Sequence, residues 1–313
     1  MKANLEVFSE TLQALAAQDR NVVAVTSDSR GSGKLVPFGE HFPDQIVEIG
    51  IAEQNLVGVA AGLAAMGKKA FAVSPACFLT ARSLEQIKND VAYSDNPVRL
   101  IGISAGVSYG ALGSTHHSLH DFAALRAIHN LPIVVPADNF ETEQAIRYAV
   151  ATDKPIYIRF GKKNMPDLGQ SLSPNFEIGK GRIIRTGSDL SLIATGETVW
   201  PCVQAAERLA EQGISAQVIS MHTIKPLDTT LLASLGAVGK PIITVEEHSV
   251  HGGLGEAVAS YLFQKGFHVP FQMMGFPDEY TVTGSQTEIF DHYGLSGAGI
   301  QDVALNLLNR WNT

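Results

Sequence analysis

Glu53 sits where a short β-prone run (Val47, Ile49, Ile51) gives way to a helix of small apolar residues that Gly67 can end with a positive φ. A carboxyl between Ile51 and a wall of Ala, Val and Leu is expected to be partly desolvated, which raises its pKa and suits it to moving protons. The competing reading is a first-turn Glu that merely complements the helix dipole. Strand-to-helix junctions are where α/β sheets bind ligands, outside the carboxyl ends of the strands. A second candidate lies in Gly113-Ser114-Thr115-His116-His117-Ser118-Leu119-His120, where His116 can donate or accept a proton near neutrality without large tuning. His116 and His120, four apart, would share a helix face, but no Cys or further ligand cluster completes a zinc spacing, so no metal is expected on this chain. Arg159 ends a strand and suits either a salt bridge or bidentate anion recognition. Gly33-Lys34 hints at a P-loop, yet position 28 is Asp and position 35 is Leu, where that motif needs Gly and Ser or Thr. The Ser27–Lys34 stretch can still offer amides and hydroxyls to a phosphate.

The elements that must position these groups alternate along the chain. A helical pattern (Leu5, Phe8, Leu12, Leu15) precedes the continuous apolar strand Val22-Val23-Ala24-Val25-Thr26, of the kind buried on both faces. Further strands are expected at Ala70–Val73, Val98–Ile103 and Pro155–Phe160, with Ser74–Arg82 leading into a helix through about Tyr93 and another helix from about Thr142 to Ala151. Ser104 to Thr115 is a long glycine-containing loop, a length usually kept for function. Residues 161–181 are rich in turn formers, after which strands at Leu190–Thr195, Ala216–Ser220 and Pro241–Glu247 and a helix at Val199–Gln212 repeat the alternation. The predicted class is α/β, two doubly wound sheet domains, with residues 1–165 and 187–313 as the domains and 166–186 as linker.

Composition narrows the function classes. The 313 residues are 45% apolar, ample for buried cores. No run of 18 apolar residues suggests a membrane span, and the N-terminus lacks a signal peptide's apolar core, so a cytoplasmic protein is expected. Two cysteines, Cys77 and Cys202, make no disulfide framework. A net charge of −8 with only isolated lysine pairs argues against nucleic acid as a partner.

The run Glu48-Ile49-Gly50-Ile51-Ala52-Glu53-Gln54-Asn55 resembles the E-x-G-I-A-E-Q-N segment of the pyrimidine-binding domain in thiamine-diphosphate enzymes of the transketolase type. The resemblance implies that Glu53 hydrogen-bonds the aminopyrimidine ring and drives its imino tautomer, so that the ring takes the thiazolium C2 proton. It implies that Phe78 packs against the aminopyrimidine and that Arg82, one turn on, faces the same cleft. Gly113 to His117 looks like the family's G-P-T-H-Q run, which gives His116 contact with substrate hydroxyls beside the reacting carbon. Ser32 and Arg159 become candidates for the substrate phosphate. Gly252–Ala257, Pro277–Tyr280 and Gly294-Leu295 resemble the transketolase C-terminal domain rather than a dinucleotide fingerprint.

Full-length transketolases carry a further domain whose G-D-G…N motif binds diphosphate and metal, and this chain contains no G-D-G. The expectation is a subunit of a split transketolase that holds the pyrimidine end of thiamine diphosphate, with Mg²⁺ and the diphosphate on a second subunit. The Gly58-x-x-x-Gly62 spacing suggests self-association as well, in a two-plus-two assembly. The reaction implied is transfer of a two-carbon ketol unit between sugar phosphates. Alternatives are a deoxyxylulose-phosphate-synthase-like subunit, a 2-oxoacid dehydrogenase β-like subunit, or a catalytically silent assembly subunit. Two departures from the family pattern bear on the donor: Leu112 stands where transketolases have Asp, and Ser104 where they have a His. A donor hydroxyl facing Leu112 would lack its partner, so a branched or otherwise modified ketose phosphate, such as apulose 4-phosphate, is expected.

Overall fold

The computed structural model describes residues 1–169 and 176–311. In chain order its strands are β1 (Lys2–Ala3), β2 (Val22–Thr26), β3 (Ile46–Glu48), β4 (Lys69–Pro75), β5 (Arg99–Ile103), β6 (Ile133–Val134), β7 (Ile156–Arg159), β8 (Asn164–Met165), β9 (Arg182–Arg185), β10 (Leu190–Ala194), β11 (Ala216–Ser220), β12 (Thr223–Lys225), β13 (Ile242–Ser249) and β14 (Phe271–Phe276). A seven-stranded sheet runs β12-β6-β7-β5-β4-β2-β3, and a five-stranded sheet runs β14-β13-β10-β11-β9. All pairs in the larger sheet are parallel except β12 with β6. In the smaller sheet only β9 runs antiparallel. β1 and β8 form a separate antiparallel ribbon.

The doubly wound character follows from alternation within strands that are apolar throughout. Phe71, Val73, Ile101 and Ile103 pack on one face with Phe8, Leu12, Ala145 and Ile146, from the helices Asn4–Ala16 and Asn139–Ala151. Their strand neighbours Ala70, Ala72 and Leu100 pack on the other face with Leu56, Val57, Ala60 and Ala61 of the helix Glu53–Ala65. The alanines of both partners let that helix lie close to the sheet.

Two elements complicate the division expected from sequence. Arg182–Arg185, within the expected linker, is the edge strand of the smaller sheet, and Thr223–Lys225, from the second half, caps the larger one. Neither short strand has a sequence signature of its own; each is created by an available sheet edge. Residues 170–175 of the expected linker, with Ser171, Ser173 and Pro174, lie outside the described residues. No helix among those described is long and apolar enough to cross a membrane.

Candidate active site

Parallel strands put every carboxyl end on one edge of the sheet, and the segments that follow β2, β3, β4, β5 and β7 converge there. After β3, Glu48 organises the turn. Its carboxylate accepts hydrogen bonds from Thr26 Oγ1 at 2.8 Å, Asp28 N at 2.7 Å, Gly50 N at 3.1 Å and Arg30 Nε at 3.2 Å. Burial pushes the Glu48 pKa up, but these donors more than offset it and leave the group below the ordinary carboxylate value. Gly50, at φ +78°, turns the chain into the helix that Glu53 begins.

Glu53 is 3% exposed, and its Oε1 accepts from Arg82 Nη1 at 2.9 Å. The Arg82 guanidinium lies 4.1 Å over the Phe78 ring. Phe78 meets His116 edge-on at 5.2 Å, and His116 meets Tyr109 edge-on at 5.3 Å. Thr115 Oγ1 lies 3.0 Å from His116 Nδ1. Three strand ends thus bring Glu53, Arg82, Phe78 and His116 into one chain of contacts. Beside it a cleft of about 700 Å³ is lined by Ile51–Asn55 and Arg82. Ser32 is exposed on the loop after β2.

Arg159 does not fit the anion-binding role expected of it. It is 3% exposed and bonded on all sides: Nη1 to Asp121 Oδ1 at 2.7 Å, Nη2 to the Glu247 carbonyl at 2.6 Å, and its guanidinium 4.3 Å over Phe122. A buried guanidinium committed to a carboxylate has no free face for a phosphate. Residues 116–120 are also not helical, since the helix begins at Asp121, so His116 and His120 share no helix face. His120 Nε2 lies 3.5 Å from Thr80 Oγ1. His117 is buried with Nε2 3.0 Å from the Gly110 carbonyl, and burial lowers its pKa; it closes the loop.

Several groups at this edge escaped the sequence reading. Lys162 Nζ stands 3.8 Å over the Tyr109 ring, and partial desolvation together with nearby Lys34 holds it below the ordinary lysine value. Tyr109 lies in a loop that only its length made noticeable. Glu197 and Glu247, from the smaller sheet, reach the same region, and Gln286 Nε2 donates to both, at 2.6 Å and 2.9 Å. Two consecutive acids closing an apolar strand, Glu246-Glu247, were the one signal available. Both lie within β13, which runs on through His248 to Ser249, and both are buried.

Burial, then the proximity of Glu247, pushes the Glu197 pKa up to about 8 from 4.5. The folded chain therefore keeps a proton that the unfolded chain has released, and stability is lost as pH rises from about 4.5 through about 8. Glu197→Gln, which is neutral at every pH, is expected to flatten this loss: melts at pH 6 and pH 9 should show a smaller fall in Tm than for wild type. Parallel profiles for the two proteins would contradict the assignment.

The chain matches two family descriptions, "Transketolase, pyrimidine binding domain" over residues 1–167 and "Transketolase, C-terminal domain" over residues 179–300. It is 47% identical over 303 residues to a protein of Phocaeicola vulgatus named as one of the subunits of apulose-4-phosphate transketolase, covering 97% of this chain and 96% of the relative. A protein of the same name from Actinobacillus succinogenes is 39% identical over 288 residues, covering 92% of each. Among solved structures, one described as "Split gene transketolase, inactive beta4 tetramer" superposes with a TM-score of 0.87 at 31% identity, covering 98% of each chain.

Proposed function

This chain belongs to the transketolase family, and we propose that, as one subunit of a split, thiamine-diphosphate-dependent enzyme, it transfers a two-carbon ketol unit from a ketose phosphate to an aldose phosphate. The observation that carries the reading is the junction of Glu53, Arg82, Phe78 and His116 at the carboxyl edge of a parallel sheet. These residues fit the pyrimidine end of the cofactor, because a buried carboxylate and an aromatic ring adjoin a cleft large enough for a planar heterocycle. They do not supply the charged end: among the described residues, no three His, Cys, Asp or Glu are grouped to hold a metal. We place the diphosphate and Mg²⁺ on a partner subunit, in a two-plus-two assembly working in the cytoplasm. The working division of the chain remains 1–165 and 187–313 about the segment 166–186, with β9 joining the second unit.

Thiamine diphosphate, when bound, supplies the carbon nucleophile that carries the two-carbon unit. Glu53 holds a proton at a ring nitrogen of the aminopyrimidine, with Arg82 fixing the carboxylate's direction. Phe78 packs against the same ring. His116, braced between Phe78 and Tyr109, exchanges a proton with the donor hydroxyl beside the reacting carbon. With Arg159 committed elsewhere, Lys162 is a cation the geometry offers for the sugar phosphate, with Ser32 as a hydroxyl donor.

The relatives named for apulose 4-phosphate suggest that branched ketose as the donor, and Leu112 gives a physical reason. It is 56% exposed at the end of the short turn Gly110–Leu112 and offers a donor hydroxyl no hydrogen bond. A donor hydroxyl that the bound substrate and the partner subunit shut off from water there would cost about 1–3 kcal/mol, or roughly 5- to 150-fold in kcat/KM. A donor panel with the reconstituted enzyme tests this: apulose 4-phosphate is expected to exceed xylulose 5-phosphate in kcat/KM, and Leu112→Asp to narrow the gap. A preference for xylulose 5-phosphate that Leu112→Asp does not shift would sink the proposal.

A further inference from the structure

The loop between β5 and the helix Asp121–Arg126 is gripped by a domain other than its own. At its neck the Ser118 N–H donates to the Gly106 carbonyl at 2.7 Å. Inside the neck, the Val107 N–H donates at 2.9 Å to Glu247 Oε1, on β13 of the smaller sheet. The amide of Gln286, first residue of the helix Gln286–His292, ties that same oxygen to Glu197. Arg159 bonds the Glu247 backbone to the end of β7, so the strand ends of the two sheets are fastened at this point.

Three loop glycines complete the grip. A Cβ on Gly106, at φ +60°, would stand 2.0 Å from Glu247 Cδ. On Gly110, at φ +50°, it would stand 2.5 Å from the Gly284 carbonyl oxygen, and on Gly113, at φ +72°, 3.0 Å from the Thr283 methyl. At each the positive φ strains a side chain; at Gly110 it would also strike backbone of the smaller-sheet domain, at Gly106 it would displace the Glu247 carboxylate, and at Gly113 the Thr283 methyl would have to give. His116 follows directly, its N–H donating to the Gly113 carbonyl at 2.9 Å, and Tyr109 lies within the gripped span.

We propose that the C-terminal domain is the mould for the donor-binding loop: Glu247 and Gln286 are positioning residues that hold residues 104–118, and through them Tyr109 and His116, in register with the sugar phosphate. This rests on the reading of His116 as a donor contact. A loop of this length held at its neck by a single bridge between Gly106 and Ser118 would otherwise open locally at little cost, and a misplacement of about 1 Å at a reacting group lowers rate by about 100-fold. Neither positioning residue touches the Glu53 cleft, so cofactor and donor binding should separate.

The test is Gln286→Met, His116→Ala and their combination in the holoenzyme reconstituted with the partner subunit, thiamine diphosphate and Mg²⁺, assayed with apulose 4-phosphate and xylulose 5-phosphate. Gln286→Met is expected to lower donor kcat/KM by about tenfold or more, to leave cofactor affinity within about twofold, and to cost much less once His116 is Ala. Independent, multiplying effects of the two changes, or an equal loss in cofactor affinity, would overturn the proposal while leaving His116's own role intact. If His116→Ala leaves donor kinetics unchanged, the reading of His116 fails and this inference with it. A second measurement needs no partner: amide hydrogen exchange on the full chain should accelerate across 105–117 in Gln286→Met, Val107 above all, and not in the helix Glu53–Ala65. Exchange as slow as in wild type across the loop means that Gln286 does not hold it.

Discussion

Replacing Glu53 by Gln is expected to lower kcat by about 10²–10⁴-fold while the chain stays folded. Gln has the same shape, and its amide oxygen can still accept from Arg82 Nη1, so the Glu53–Arg82 contact at 2.9 Å needs little rearrangement. What the substitution removes is a group that can take up and hold a proton at a position that is 3% exposed, where bulk water does not substitute for it. The fold loses no apolar contact, and replacing a buried carboxylate with an amide spares some desolvation, so Tm should move little. Proton exchange at the cofactor C2 carbon, followed by NMR in the reconstituted enzyme, isolates this step from donor binding and product release. A mutant exchange rate equal to wild type would rule Glu53 out as the proton-handling group.

The isolated chain should show no ketol transfer, and adding the diphosphate-binding subunit should restore it. The reasoning is electrostatic. A diphosphate needs a divalent cation with a near-octahedral oxygen set, and among the described residues no cluster of three metal-ligating side chains exists to hold one. Affinity for thiamine diphosphate should accordingly be weak and insensitive to Mg²⁺ for this chain by itself, and strong and Mg²⁺-dependent for the pair. Calorimetry gives the decisive reading: tight, Mg²⁺-dependent binding by this chain without a partner would falsify the split-subunit account.

Strand and helix types were legible in the sequence because local pattern encodes them. Val22–Thr26 and Ala216–Ser220 were read at their observed limits, since unbroken apolar runs with β-branched residues have few other solutions. The helix expected through about Tyr93 is instead Ala76–Arg82, Leu84–Gln86 and a π-helix Ile87–Tyr93. No Gly or Pro falls between Ala76 and Tyr93 to mark these breaks in the sequence. That Glu53 follows β3, Phe78 and Arg82 follow β4, and His116 follows β5 was also readable, and a parallel sheet brings the segments after its strand ends together.

Arg159 shows where that reading stops. Its strand-end position is the same as that of a ligand-binding residue, and nothing local distinguishes a guanidinium facing solvent from one facing a carboxylate. The sequence by itself determined most of the long strands and helices and that they stack as doubly wound sheets, since periodicity and turn chemistry act over a few residues. Only the tertiary structure decided that Arg159 is spent on Asp121 and Glu247, that β12 crosses to the other sheet, and that Glu197, Glu247 and Gln286 grip the loop of His116. Those pairings join residues tens to over a hundred positions apart, and their energy depends on which groups lose water together when two separately patterned sheets meet.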